Sequence, residues 1–159
     1  MSCQNNKNHM NPSIVEFIEK QKSCTLCCVD EVGKPYCFSC FYIFNAEHGL
    51  LYFKSSAKSH HAGILANNPF VAGSILPDKL NVLLIKGIQF EGMVLPENHF
   101  LAEHASTFYY KKNPAAVTIG GSIWIVRIDN IKMTDSTLGF GKKITWNRNE
   151  KNTTVSVYS

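Results

Sequence analysis

Apolar positions along the chain fall into short runs divided by turn residues, a pattern that predicts a mostly β protein with a few helices. Asn11 before Pro12 signals a helix start, and Ile14, Val15, Phe17 and Ile18 form one apolar stripe that ends near Lys22. Two strands follow, Cys24 to Asp30 and Pro35 to Phe44, joined by "DEVGKP", whose Gly33 and Pro35 mark a turn. "NAEHG" turns the chain into a third strand, Leu50 to Lys54, so these three strands run as an antiparallel meander. "SSAKSHHAGILANNP" predicts a second helix, capped by Ser55 or Ser56 and stopped at Asn67-Asn68-Pro69.

Phe70 to Leu76 predicts a fourth strand, and Leu80 to Leu95 a long apolar run with Gly87 and Gly92 inside it. Glycines there let a strand bend or bulge, which is how a sheet curls into a barrel. "PENHFLAEHASTFYYKKNP" predicts a third helix with Phe100, Leu101, His104 and Phe108 on one face, stopped by Pro114. Ser122 to Ile128 predicts a strand, "IDNIKMTDSTLGFGKK" an excursion, and Ile144 to Arg148 a last strand. Trp124 and Trp146, inside apolar strands, are expected in the core.

With 159 residues, the chain fits one domain large enough to bury a core without metal or disulfide support. Residues 12–148 form that domain, between a flexible leader (1–11) and a flexible tail (149–159). No apolar run is long enough to span a bilayer, and the polar N-terminus has no secretion signal, so the expected location is the cytoplasm, with no membrane partner. A net charge of +4 with scattered basic residues argues against a nucleic-acid partner and leaves room for a small anionic ligand.

Five cysteines lie between positions 24 and 40, and Cys24 with Cys27 and Cys37 with Cys40 have C-x-x-C spacing. Zinc knuckles turn tightly between their two cysteines, commonly on glycine or proline, whereas Thr-Leu and Phe-Ser fill these gaps. On extended strands residues i and i+3 point to opposite faces, so each pair is split across the sheet. The expectation is reduced, packed thiols and no metal site. The histidines His60, His61, His99 and His104 also lack metal-ligand spacing. "GFGKK" does not complete G-x-G-x-x-G, because Ile144 stands where the last glycine is needed.

The words "TLCCVDEVGKPYCFSCFYIFNAEHGLLYFKSSAKSHHAGILANNPFVAGSI", in that order, resemble the core of the pyridoxamine-phosphate-oxidase-like split barrels. "IDNIKMTDSTLGFGKKITWNR" is similar to the YhbP-type branch of that superfamily, and the resemblance covers most of residues 13 to 148. It implies a six-stranded antiparallel split β-barrel with flanking helices. It also implies a homodimer that holds FMN in the groove between its chains, and possible flavin-dependent oxidoreductase chemistry on an unknown substrate. Members of the superfamily also include haem-handling proteins and sensors, so a non-enzymatic FMN or haem binder is the alternative.

In the family the FMN phosphate lies where the third strand meets the following helix. Lys54, Ser55, Ser56, Lys58 and Ser59 would supply cations and hydroxyl donors around a helix start, whose free N–H groups attract anions. Ser59-His60-His61 stands where the oxidase typically has Ser-Arg-Lys, and Phe38 and Ile43 replace basic positions on the second strand. The resemblance puts His60 and His61 at the phosphate and Thr134 and Lys143 near the positions of a tryptophan and an arginine beside the flavin and substrate. Losing those two removes a reason to expect pyridoxamine phosphate as substrate. The residues identify no catalytic group.

Overall fold

The computed structural model describes residues 9–139 and 142–150 and the backbone of 154–157. Helix α1 spans Pro12–Lys20, with Asn11 accepting the Ser13 N–H at 2.9 Å as its cap and Pro12 opening its first turn. Ile14, Phe17 and Ile18 are its buried stripe. Strands β1 (Ser23–Val29) and β2 (Pro35–Asn45) form a hairpin. Its turn is held by the Asp30 carboxylate, which accepts the N–H groups of Val32 and Lys34 at 3.0 and 2.8 Å. β3 is Leu50–Ser55, α2 His60–Asn67, β4 Phe70–Ile75, β5 Lys86–Val94, α3 Ala105–Lys112, β6 Ser122–Asp135, β7 Lys142–Asn147 and β8 Thr154–Val157.

The sheet order is β3-β2-β1-β4-β5-β6-β7-β8, every pairing is antiparallel, and a further β3–β6 pairing closes the first six strands into a barrel. The expected six-stranded split barrel is therefore the observed fold, with β7 and β8 extending the sheet beyond it. Leu26, Phe53, Ile75, Ile88, Val126 and Ile128 belong to the large core inside the barrel. Leu50 and Tyr52, on the other face of β3, join a second cluster with Tyr109 and Ala116 under α3. Because both faces of β3 are covered, "LLYF" is apolar without alternation. Trp146 is buried in the main core and Trp124 packs against it half-buried.

Strand β6 departs most from the pattern reading. The expected excursion after Ile128 is instead seven more residues of strand, ending at Asp135. Ile131, Met133 and Asp135 alternate inward with Lys132 and Thr134 outward, the period of a half-covered strand. A bulge between Glu91 and Gly92 breaks the phase with Ile128 and hides that continuity from a simple alternation count. At its end Asp135 is buried, accepts from Thr137 and pairs with Lys86 at 2.8 Å. Burial pushes that carboxyl upward, but the hydrogen bonds from Lys86 and Thr137 outweigh it and hold the group below its usual range.

Three other expectations need correction. The long run from Leu80 is strand only from Lys86, because Asn81 folds the chain into a turn by accepting the Leu83 N–H, leaving Leu80 to Ile85 with exposed apolar side chains. The third helix is broken into a 3-10 turn at Phe100–Ala102, α3, and a second 3-10 turn at Pro114–Thr118, since His99 caps Leu101 early. The tail contributes β8, paired with β7 at Lys142↔Val157 through Thr145↔Thr154. The leader residues 1–8 lie outside the described residues. Among those described, no helix is long and apolar enough to cross a membrane.

The cysteine expectation also changes. Cys27 and Cys37 are directly opposed across the hairpin, with Cα atoms 4.2 Å apart, and are joined in a disulfide on its outer face instead of packing as free thiols. Cys24, Cys28 and Cys40 remain thiols on the inner face.

Gly92 is where the barrel tolerates least change. A Cβ there would run into the Arg127 carbonyl and lie 3.2 Å from the Ile128 Cα, both backbone atoms of β6. Replacing Gly92 with alanine forces the bulge apart and should cost about 1–3 kcal/mol in urea unfolding. A loss below ~0.5 kcal/mol would show that β6 can shift without penalty.

Candidate functional site

The region around the end of β3 is organised by backbone contacts before any side chain reaches solvent. Ser55 pairs with Ser122 across the barrel seam, and Gly121, at φ 115°, lies so close that a Cβ would sit 2.9 Å from the Ser55 carbonyl. Only glycine adopts that backbone readily and leaves this room. The Trp124 indole N–H donates to the same carbonyl at 3.2 Å. The end of β3 is thus fixed against β6, and the chain turns from there into α2.

Helix α2 starts later than expected. Ser59, not Ser55 or Ser56, is the cap, accepting the Ala62 N–H at 3.3 Å. Ser56 Oγ accepts the Lys58 N–H at 3.1 Å and shapes the preceding turn. Both hydroxyls keep their own proton to donate. Lys58 and His60 are exposed beside them. The first N–H groups of the helix, those of His60 and His61, have no preceding helical carbonyl to bond.

Each histidine faces an aromatic residue of β2. The His60 ring meets Tyr36 edge-on at 4.7 Å, while His61 stacks on Phe38 with centroids 3.8 Å apart and planes 8° from parallel. His61 Nε2 also lies 2.7 Å from Ser55 Oγ. Burial, with a smaller contribution from the charge of His60, pushes the His61 imidazole below its ordinary value. Two places where the sequence departs from the basic pattern of the oxidase, Phe38 and His61, are therefore in contact: a neutral stack stands where two cations were the reference.

Lys54 is the remaining cation of the cluster. Its ammonium donates to the Tyr110 hydroxyl at 2.9 Å and to the Ala116 carbonyl at 2.8 Å, and lies over the Tyr110 ring. Both partners are neutral, and among the described residues no carboxylate pairs with it. Two of its three ammonium hydrogens are used, leaving one for a ligand. Lys54, Ser55 and His61 line a groove of about 290 Å³ with Phe38, Cys40 and Phe53 in its wall and Phe41 and Ile119 exposed at its rim.

Of the site residues suggested by the resemblance, Lys54, Ser55 and His61 line the groove, Ser56, Lys58 and Ser59 lie on the turn that leads into α2, and His60 lines a separate hollow with Asp30 and Val32. Thr134 and Lys143 face each other across β6 and β7, near the end of β6 opposite Ser122, so one chain does not bring them to the groove. Cys40 was expected only as a packed thiol, and Tyr110 and Ile119 were not singled out from the sequence. Tyr110 could have been, since Tyr109-Tyr110 supplies hydroxyls to a helix that must cover β3.

The family model described as pyridoxamine 5'-phosphate oxidase matches residues 10–121. The chain belongs to that family. It is 35% identical over 137 residues to the UPF0306 protein YhbP of Escherichia coli, covering 86% of this chain and 92% of the relative, which places it in the YhbP-type branch. Among solved structures, the haem binding protein of Mycobacterium smegmatis superposes with a TM-score of 0.68 at 18% identity, covering 87% of this chain and 59% of that one. A pyridoxamine 5'-phosphate oxidase-related, FMN binding protein of Nostoc punctiforme gives 0.67 at 10% identity, covering 94% and 98%. These identities carry the fold alone. The residues, not the likeness, must carry the ligand.

The lowered His61 value makes a signed prediction. A base whose folded-state pKa is depressed contributes stability fully present above its unfolded value near ~6.5, and lost as pH falls from there through the lowered value. NMR titration of the His61 ring should give a midpoint below ~6.5, and His61→Phe should remove this part of the acid sensitivity while keeping a ring on Phe38. A midpoint at or above that value would mean that the stack on Phe38 does not desolvate the imidazole.

Proposed function

We propose that this protein is an FMN-binding flavoprotein whose cofactor phosphate sits at the start of α2 and whose groove is completed by a second copy of the chain. The observation that carries the reading is Lys54, a half-buried cation in the groove wall held by neutral partners alone. A cation withdrawn from water without a counter-ion favours an anion beside it. Ser56 and Ser59, with protons to donate, the first N–H groups of α2 and exposed Lys58 suit a phosphate. The half-buried Phe38 ring in the wall and the exposed Phe41 and Ile119 at the rim suit a planar group. Bound flavin would supply hydride or electron transfer, which makes an oxidoreductase of unassigned substrate the activity to test for.

Two features support the second copy. Phe41 and Ile119 at the rim are 74% and 62% exposed, and the turn at Leu80 to Ile85 adds Val82 and Leu83 at 93% and 86%. Apolar side chains this open are usual at an interface. Thr134 and Lys143 could reach the groove only from the other chain. Sedimentation at micromolar concentration should therefore give a species near twice the 17.8 kDa of one chain. A monomer alone would leave the groove half-built and sink this arrangement.

The ligand is tested by the visible spectrum of freshly purified protein and by quenching of FMN fluorescence. Flavin absorption favours the reading; a Soret band instead favours a haem binder, as the mycobacterial neighbour is. Lys58→Ala should weaken FMN by about two- to five-fold, in keeping with an exposed cation. Lys54→Met should weaken it by about ten-fold or more, as expected for a charge-assisted bond of some 1.5–3 kcal/mol. Riboflavin, which has no phosphate, should be almost indifferent to both changes. If FMN binds and neither change alters its affinity, the phosphate is held elsewhere. Reduction of bound flavin by a pyridine nucleotide separates an enzyme from a sensor.

A further inference from the structure

The inner face of the β1–β2 hairpin carries a second cysteine pair. Cys24 and Cys40 are direct partners in the register, three rungs from the disulfide between Cys27 and Cys37, with their sulfurs 3.6 Å apart. We propose that Cys24 and Cys40 are a reactive dithiol that reduces small disulfides entering the groove and closes into a second cross-strand disulfide.

The hairpin geometry allows the bond. The Tyr42 N–H donates to the Lys22 carbonyl and the Asp30 N–H to that of Lys34, so the rungs in phase with these, Cys24–Cys40 among them, are hydrogen-bonded pairs. Such pairs hold their Cα atoms about 5.5 Å apart, inside the ~4.4–6.8 Å that a disulfide spans. The sulfurs must close by roughly 1.5 Å to reach bonding distance, a movement within reach of side-chain torsions. The neighbouring disulfide sits on a rung of the other, closer kind, with Cα atoms 4.2 Å apart, so the closure of Cys24 and Cys40 rests on their own 3.6 Å sulfur separation.

The roles of the two sulfurs follow from their positions. Cys40 is half-buried and lines the groove, so a molecule lying there meets it first. Cys24 is buried behind it, and its hydrogen bond to Cys40, together with burial, keeps it protonated well above the usual thiol range. Cys28, fully buried with its sulfur against the Tyr36 carbonyl, takes no part.

The chemistry balances in two steps. Cys40 sulfur attacks one sulfur of a disulfide RSSR; the S–S bond breaks, a Cys40–S–S–R bond forms, and the leaving RS⁻ takes the proton from Cys40. Cys24 sulfur then attacks Cys40 sulfur, expels the second RS⁻ and gives it the Cys24 proton. The protein dithiol is oxidised by two electrons and one RSSR becomes two RSH. The substrate class is a low-molecular-weight disulfide, and no metal or flavin is needed.

The test uses the full chain in a Cys3→Ser background, because Cys3, outside the hairpin, also exchanges with small disulfides; bis(2-hydroxyethyl) disulfide is added, followed by alkylation of the denatured protein with N-ethylmaleimide and intact-mass measurement. In that background the otherwise wild-type protein should lose two alkylatable sulfurs and carry no adduct. Cys40→Ala should lose neither, and Cys24→Ala should retain a mixed disulfide with half of the reagent on Cys40. An unchanged alkylation count in the wild type, or loss of the same two sulfurs in Cys40→Ala, would overturn the proposal. Should Cys24→Ala not fold, the wild type and the groove-wall variant Cys40→Ala still decide. The readout is independent of flavin, so its failure would leave the FMN reading untouched.

Discussion

Barrel closure depends on β6 serving several neighbours at once. Its first half pairs with β3, its second half with β7, and β5 runs along it from Val126 to Asp135. Because β3 and β7 occupy the same edge of β6 one after the other, β6 turns from one to the other between Arg127 and Asn130. The bend coincides with the bulge, where Gly92 brings the β5 backbone against the Arg127 carbonyl. That close approach lies between the stretch of β6 that forms the seam with β3 and the stretch that carries β7.

The chemistry depends on the same seam at a second close approach. Gly121 beside the Ser55 carbonyl and the Trp124 indole on that oxygen fix where β3 ends. The turn from Ser55 to Ser59 then starts from a rigid base, and α2 presents its first turn beside Lys54. Cations and helix ends select an anion only if their spacing is set in advance, since ordering long side chains at the moment of binding would consume much of the gain. Here the spacing is set by backbone packing, and Lys54 is further held by Tyr110 and Ala116.

Much of this was legible in the sequence where one residue carries one signal. Asn11-Pro12 marked α1, Gly33 the hairpin turn and "GLLYF" the strand β3, though not its burial on both faces, and the order of such words carried the family. What escaped involved two distant segments acting on each other. The length of β6 was hidden because Asp129, unpaired opposite the Glu91–Gly92 step of β5, shifts the inward phase from Val126 and Ile128 to Ile131 and Met133. The cap of α2 moved to Ser59 because Ser55 is held by the seam, which no local rule contains. The cysteines were the nearest miss. Splitting each C-x-x-C pair between faces was sound, and once the turn is placed, the same hairpin register sets Cys27 opposite Cys37 and Cys24 opposite Cys40. Reading the spacing along each strand concealed the pairing across them.

The Phe38–His61 stack ties these threads to the ligand. As a pair of rings 3.8 Å apart they satisfy one another, and burial keeps the imidazole uncharged near neutrality. The electrostatic work of attracting an anion then falls on fewer groups: Lys54 inside the groove, Lys58 outside it and the first N–H groups of α2 between. A site with one inner cation should bind its anion less tightly than one ringed by fixed charges. If the proposed FMN binds here, its affinity would rest more on the apolar wall and rim, where Phe38, Phe41 and the Cys40 sulfur line the groove. On that reading the departure from the oxidase pattern would shift the binding energy away from the phosphate and toward the ring.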